Sequence, residues 1–373
     1  MEIILTIFIV LFIPLLIKYT EKSKIVTVIS PIALAYVAGI LFSFSTVKLN
    51  QEIITQTTEI SIALSICLFL LASNLDKFRT LLKPLLKSFF LGILSLLITI
   101  FLVYFLFGFY DKKYINIIGM LVGLYVGGTP NLNAIGIALD VPNETIVLVN
   151  TADIAFGGIY FLLLLTIVKP ILSLFLPKYI TGNFLEEELK VVKKTNLSEN
   201  FKMIFLGFST AIIILGFSFG LVFLMFDDLN IPAFLIFLTT LSIVGAQFSI
   251  IKKIKWKFEI AEVLLLIFSF GIGLQIDFNL LLTSGLETYL LVGSVFTGTI
   301  LIHYLLAWIT KTDVDTLLIS STAALYGPAF IAPIAKAIHN KELIVYGIAL
   351  GLLGYILGNY LGLGIAFLLQ LLS

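Results

Sequence analysis

Apolar runs long enough to enter or cross roughly 30 Å of hydrocarbon recur along this chain at residues 2–18, 25–44, 59–75, 84–107, 114–139 and 144–176. A second set follows at 203–226, 232–250, 259–277, 280–310, 314–338 and 342–372. Between the sets lies the one sizeable polar stretch, Pro177 to Lys202, with Glu186, Glu187, Glu188, Lys190, Lys193 and Lys194. The pattern predicts an all-α polytopic membrane protein in two halves, residues 1–176 and 203–373, joined by a linker at 177–202.

The halves share landmarks at a nearly constant offset. Glu59-Ile60 matches Glu259-Ile260, Asp76 matches Asp277, Gly128 matches Gly327, and Glu144 matches Glu342. The same order, between segments of matching length, argues duplication. Lysines then set the orientation, because cytoplasmic loops are enriched in Lys and Arg. If all six segments of each half crossed, the Lys252, Lys253, Lys255, Lys257 loop would face the side opposite the Lys77, Arg79, Lys83, Lys87 loop. If the fifth segment of each half enters and returns, each half crosses five times and the repeats are inverted. Lys18, Lys22, Lys24, the Lys77 to Lys87 group, the linker, the Lys252 to Lys257 group, Lys311 and Lys341 then share the cytoplasmic side. Both termini are then external, as are Lys48, Lys112, Lys113 and the Asp227-Asp228 loop. A broken helix that crosses, with parity restored elsewhere, is the other topology.

Composition narrows the class. Apolar residues make up 60% of the chain and charged ones 12%, against roughly a quarter charged in soluble domains. The net charge of +1 leaves no basic domain for nucleic acid. The single cysteine, Cys67, in an apolar run, excludes an intrachain disulfide and a thiolate metal site. Glu2 to Ile17 has an acidic residue where a signal peptide carries a basic one, so it reads as a retained span. No phosphate loop, nucleotide fingerprint or nucleophile elbow appears. The expectation is a non-enzyme without a cofactor, with sodium the candidate coupling ion and no other metal.

The polar residues at membrane depth carry the candidate chemistry. Gly127-Gly128-Thr129-Pro130-Asn131 interrupts the fifth segment, and Tyr326-Gly327-Pro328-Ala329 interrupts its counterpart. Glycine permits unusual dihedrals and proline removes a donor, so backbone groups should be freed near the midplane. The candidate solute-binding residues are therefore Gly127, Gly128, Thr129, Pro130, Asn131, Asn133, Tyr326, Gly327 and Pro328. Asp153, ten residues into the sixth segment, is a functional candidate because a carboxylate at that depth is costly. With Asn150 and Thr151 it would ligate sodium or carry a proton. Ser320, Ser321, Thr322 and Asn359 in the second half complete the ion-coupling candidates. Glu59, Glu259 and Glu262 read as acids at segment starts, favourable to the helix dipole, with an ionic role as the alternative. Asp76 and Asp277 read as interfacial. Lys336 reads as a lysine reaching back to the cytoplasmic surface, with attraction of an organic anion as the alternative, His303 as a packing residue, and Gly347, Gly351, Gly354, Gly358 and Gly362 as a stripe for close helix approach.

Tyr125-Val-Gly-Gly-Thr-Pro-Asn131, Ala152-Asp153, Gly327-Pro-Ala, and Gly351-Leu-Leu-Gly-Tyr-Ile-Leu-Gly-Asn-Tyr-Leu-Gly362 together resemble the YjcL-like membrane family called domain of unknown function 819. The resemblance covers essentially the whole chain. It implies an inner-membrane protein similar to inverted-repeat sodium/solute symporters, with a homodimeric scaffold and a moving transport domain around the interrupted segments.

The expected function is secondary active transport of a small polar or anionic solute (amino acid, short peptide or organic acid), coupled to sodium or protons by alternating access. The expected partners are that solute, the lipid bilayer and a second copy of the chain, in a bacterial-type inner (plasma) membrane. A cation/proton antiporter without organic substrate, and a non-transporting scaffold or receptor, are the alternatives.

Overall fold

A computed structural model describes residues 2–19, 31–45, 47–72, 78–107, 111–179, 197–226, 230–275 and 286–372. The first half comprises α1 (Glu2–Tyr19), α2 (Pro31–Ser43), α3 (Gln51–Ala72), α4 (Phe78–Phe107), α5 (Lys112–Gly127), α6 (Thr129–Ala138), α7 (Asn143–Thr166) and the short α8 (Val168–Leu172). The second comprises α9 (Leu197–Phe226), α10 (Ile231–Gly245), α11 (Ser249–Lys252), α12 (Lys257–Leu274), α13 (Leu286–Ile309), α14 (Val314–Tyr326), a 3₁₀ turn Pro328–Phe330, α15 (Ile331–Ala337), a second turn Lys341–Leu343 and α16 (Ile344–Leu372). Seven of the described helices are long and apolar enough to cross a membrane, and shorter apolar helices lie among them. The protein is an all-α, multi-pass membrane protein. Asp76, Asp277, Lys22, Lys24, Lys77, Asp227, Asp228 and the charged linker residues from Glu186 to Lys194 lie outside the described residues.

Polar residues at loop ends start several of these helices by satisfying their first free amides. Asn50 accepts from Ile53 N at 3.0 Å, Asp111 from Lys113 N at 3.2 Å, Asn230 from Ala233 N at 3.0 Å and Asp313 from Thr316 N at 2.9 Å. The Asn50 cap corrects one expectation. It starts α3 at Gln51, so Glu59 is exposed two turns inside the helix rather than at its start, whereas Glu259 does lie in the first turn of α12.

The interrupted segments fold back on themselves. The Asn116 amide, near the start of α5, donates to the Leu139 carbonyl at the end of α6. Gly123 faces Asn131 and Ile135, and Gly119 faces Leu139, so α5 and α6 run antiparallel. In the second half Asn340 Nδ2 donates to Asp315 Oδ2 at 2.9 Å, which closes α14 and α15 into a second hairpin. Each hairpin ends in a left-handed residue, Asp140 with φ 52° and His339 with φ 57°.

α16 is the spine on which both hairpins lie. Gly347 faces Ile319 and Ile331, Gly351 faces Pro328, Gly354 faces Val126 and Gly127, Gly358 faces Asn131 and Gly123, and Gly362 faces Gly119 and Ile135. Gln370 Nε2 then donates to Asn116 Oδ1 at 3.0 Å. The hairpins are thus placed end to end, the second opening toward the start of α16 and the first toward its end. A helix of 29 residues is about 43 Å long, enough to span the bilayer.

Charge separates the two faces. On the face where α16 begins, the buried Glu262 of α12 pairs with Lys18 of α1 at 3.0 Å, Lys341 at 2.7 Å, and Lys336 of α15. Lys169 pairs with Asp315 at 2.7 Å, and Val314 N donates to the Pro177 carbonyl at 3.0 Å, so the start of the linker lies on this face too. On the opposite face Asn50 N donates to Thr6 near the start of α1, and α16 ends at Leu372. Lys336 therefore does reach the lysine-rich face, but to a carboxylate rather than to open water. A second body of helices is built around α12, which packs on α2 and α3. There Gly39 and Gly273 bring two backbones together, and Ser65 donates to the Ala261 carbonyl at 2.9 Å.

The α5/α16 seam admits no side chain at its centre. A Cβ at Gly354 would overlap the Val126 carbonyl, whereas one at Gly216 or Gly220 of α9 would meet nothing within 4 Å. Gly354→Val is expected to cost about 1–3 kcal/mol by overpacking. Gly216→Ala and Gly220→Ala are expected to be neutral or mildly stabilising, and melting temperatures in detergent check the contrast.

Candidate functional site

The two interruptions share one backbone solution. Gly128 adopts φ 84°, ψ −178° and Gly327 φ 76°, ψ −171°, a region closed to side-chain-bearing residues, and a proline follows within two positions. The α5 helix ends with Gly128 N donating to the Leu124 carbonyl, and α6 restarts with Asn131 N donating to the Gly128 carbonyl at 3.1 Å. The hairpin tips meet. A Cβ placed on Gly128 would lie 3.6 Å from the Tyr326 carbonyl and 3.8 Å from Gly327 N, and the Tyr355 ring lies against both glycines.

Asn131 anchors this crossing. Its amide donates to the Gly354 and Tyr355 carbonyls at 3.3 and 3.1 Å, while its Oδ1 is buried without a hydrogen-bond partner. Asn359 Oδ1, also on α16, is buried without one. Free carbonyl oxygens of this kind suit a cation or a donor group on a ligand. Thr129 is exposed and Pro130 half-buried although both sit at a hairpin tip deep in the molecule, so the crossing is accessible from outside the packed core.

Asp153 lies beside the crossing. It is ten residues, or about 15 Å, from the start of α7, and its electrostatic neighbours are the hydroxyls of Tyr125 in α5 and Tyr326 in α14. The Tyr125 hydroxyl is buried and directed at the Asp153 carboxylate, to which it is placed to donate. Tyr326 donates to the Gly157 carbonyl at 2.7 Å, one turn along α7 from Asp153. Among the described residues no lysine, arginine or histidine pairs with Asp153; the lysines of the buried ion pairs belong to Glu262 and Asp315.

Between Asp153 and the lysine-rich face the space is filled by rings. Tyr326 stacks with Tyr160 at 6.4 Å and meets Phe330 at 5.0 Å, Phe161 meets Phe330 at 5.1 Å, and Phe330 meets Phe268 of α12 at 5.5 Å. Tyr36 of α2 joins edge-on to Phe161 at 5.1 Å and donates to the Gly158 carbonyl at 3.1 Å. Tyr160 and Tyr304 share a short hydroxyl contact, with Ser321 beside Tyr160.

The structure brings together Gly127, Gly128, Asn131, Tyr326, Gly327 and Pro328 at the crossing, with Asp153 alongside. Asn150 and Asn133 join each other, Nδ2 to Oδ1 at 3.0 Å, linking α7 to α6. Thr151 turns back to the Val147 carbonyl on an exposed surface, and Thr322 bonds to Leu318 of its own helix. Ser320 instead joins Ser88 at 2.6 Å in a buried cluster with His303, whose Nε2 donates to the Ser88 carbonyl at 2.9 Å. His303 is thus a satisfied packing residue. Sequence reasoning passed over Tyr36, Tyr160 and Tyr304, and named Glu262 without foreseeing the three lysines that meet at it. Tyrosine in apolar runs gives no periodic signal, and only Glu262 stood out, as a charge within a helix.

No curated protein matches the chain in sequence. A family model described as protein of unknown function (DUF819) matches residues 6–372, nearly the whole chain. The chain belongs to the DUF819 family of membrane proteins.

Proposed function

We propose that this protein is a secondary active transporter, moving a small polar or anionic solute such as an amino acid, short peptide or organic acid, coupled to sodium or protons by alternating access. One observation carries the reading: two hairpins reach in from opposite faces and touch at Gly128 and Gly327, beside a carboxylate, Asp153, that pairs with no basic side chain among the described residues. Irregular backbone at membrane depth is stable only when buried or lining a cavity, and discontinuous helices meeting at midplane are how transporters build solute sites. In this proposal the halves 1–176 and 203–373 are inverted repeats, the linker is cytoplasmic, both termini are external, and the protein works as a homodimer in the plasma membrane. The gathering of Lys18, Lys169, Lys336 and Lys341 on the linker face supports that orientation.

The site is reached from the face opposite the linker, past Asn133 and Asn150, while the rings around Tyr326 and Phe330 and the Glu262 cluster close the linker face. Glu262 joins α12 and α1 to the second hairpin through Lys336 and Lys341, so it acts as the latch of that gate. The isolated Asp153 also favours a second reading, a cation/proton antiporter without organic solute.

The primary test is the melting temperature of purified protein in sodium against potassium, with and without solute pools, since a ligand of the folded state raises stability by RT ln(1 + [L]/Kd). A sodium-dependent rise that Asp153→Asn abolishes, enlarged by one pool, is the expected result. A response to pH alone supports the antiporter, and no response to ions, pH or solutes overturns transport. For the latch, Glu262→Gln leaves three lysines without their shared carboxylate. Removing one partner of a buried ion pair typically costs about 3–5 kcal/mol, with these part-exposed lysines at or below the lower end. Glu262→Gln should lower the melting temperature and raise the labelling of a cysteine at Phe330 from the linker side of vesicles; unchanged labelling rejects the gate.

A further inference from the structure

The connection from α10 to α12 carries Lys252, Lys253, Lys255 and Lys257, interleaved with Ile254 and Trp256. Its residues sort by face. Ile251 lies beside Gly245, and Ile254 and Lys257 lie against Gly207 of α9, with Lys257 Nζ donating to the Ile251 carbonyl at 2.7 Å. These inward residues hold the segment to the helices. Turned outward are Phe248, 59% exposed, Ile250, 79% exposed, and the exposed Lys252, Lys253 and Lys255. The short helix α11 has no buried residue.

The fold places this segment at the headgroup boundary of the linker face. Phe219 near the end of α9 meets Phe234 near the start of α10 at 6.1 Å, so α10 turns back from the opposite face. Its 15 residues rise about 22 Å, short of roughly 30 Å of hydrocarbon. Phe248 and Ile250 therefore follow at the edge of the apolar layer rather than beyond it. At its other end the segment enters α12, where the Lys341 ammonium sits over the Phe258 ring at 3.8 Å on the linker face. Trp256, a residue type favoured at membrane interfaces, makes that turn in the left-handed region, with φ 68°.

Exposed apolar side chains at that depth, followed at once by exposed lysines, suit an element that sets its apolar groups among acyl chains and its charges among anionic headgroups. The protein does not neutralise those charges itself. The ion pairs of the described lysines go to Glu262 and Asp315, and none includes Lys252 or Lys253. Glu259, in the first turn of α12, is one acid against four lysines. A soluble anion or an acidic protein would match the charge but leave Phe248 and Ile250 without a role.

We infer that residues 248–257 form a binding surface for anionic phospholipid, with headgroup phosphate held by Lys252 and Lys253 and acyl chains lying against Phe248 and Ile250. Bound lipid would hold the start of α12, the centre of the second body of helices, at the membrane surface. This assignment stands whether or not the protein is a transporter.

Tryptophan emission tests it locally, because the chain has two tryptophans and Trp308→Phe leaves Trp256 as the sole reporter. The full-length Trp308→Phe chain is reconstituted in phosphatidylcholine vesicles with small fractions of bromine-labelled phosphatidylglycerol, or of bromine-labelled phosphatidylcholine with the same acyl chains. The labelled phosphatidylglycerol should reach half-maximal quenching at about one-fifth of the mole fraction or less, since each lysine near an anionic surface contributes several-fold in affinity. Lys252→Gln/Lys253→Gln should remove that preference, and Lys83→Gln/Lys87→Gln on α4 should keep it. Equal quenching by the two lipids overturns the assignment, as does a preference that Lys252→Gln/Lys253→Gln retains in full or that Lys83→Gln/Lys87→Gln removes equally. Soluble glycerol phosphate should not relieve the quenching; relief at millimolar concentration points to a plain anion site and also overturns it. If the Lys252→Gln/Lys253→Gln chain does not purify as a folded protein, the comparison of the two labelled lipids on Trp308→Phe decides alone.

Discussion

Everything distinctive here follows from one constraint: a peptide group inside a bilayer must find its hydrogen-bond partner within the protein. The breaks at Gly128 and Gly327 free backbone groups about halfway through the molecule, where lipid offers nothing. The chain meets the constraint by folding each broken segment into a hairpin and pressing both against α16. Glycines along α16 let backbone approach backbone, so Asn131 can reach the Gly354 and Tyr355 carbonyls directly. The glycine stripe and the breaks are one device, since larger residues on α16 would hold the hairpins off and leave the tips unsupported.

The same logic sorts the buried charges. Glu262 and Asp315 are tolerable because lysines reach them, and in both places the pair ties an element of one body of helices to a hairpin or its neighbour. Such pairs contribute little net stability, because desolvation offsets much of the attraction. Their worth lies in specifying where the second hairpin sits. Asp153 follows the opposite rule: its neighbours are the Tyr125 and Tyr326 hydroxyls, and no basic side chain among the described residues pairs with it. The two carboxylates on the linker face are thus matched by lysines, and the one at the crossing is matched by hydroxyls.

Much of this was legible in the sequence because bilayer thickness imposes lengths and glycine-proline pairs impose breaks. The helix pattern, the two interruptions and the depth of Asp153 needed only counting. The start of α3 was misplaced because Asn50 caps a polar first turn that hydropathy does not count as membrane. The tyrosines were not legible, because an aromatic in an apolar run looks the same whether it packs against lipid or against a site. Glu262 was seen but misread. Its position in the second turn of α12 fits a helix-dipole acid, and only the folded chain brings Lys18, Lys336 and Lys341 to it across long sequence separations.

The two hairpins are not held alike, and that difference bears on motion. The first is keyed into α16 along its whole length, from Gly119 against Gly362 to Gly127 against Gly354, with backbone contacts that leave no room to slide. The second touches α16 through Gly347 and Gly351, and its outer end is held instead by ion pairs to α12 and by rings shared with α2, α7 and α12. Ion pairs among part-exposed lysines and edge-on ring contacts can be exchanged for water or for one another at modest cost, whereas interlocked glycine backbones cannot. Opening toward the linker face would therefore separate the second hairpin and α16, with the first hairpin riding on α16, from the body built on α12. On that division Asp153, whose helix α7 packs against both α2 and α15, stands at the boundary between the two parts.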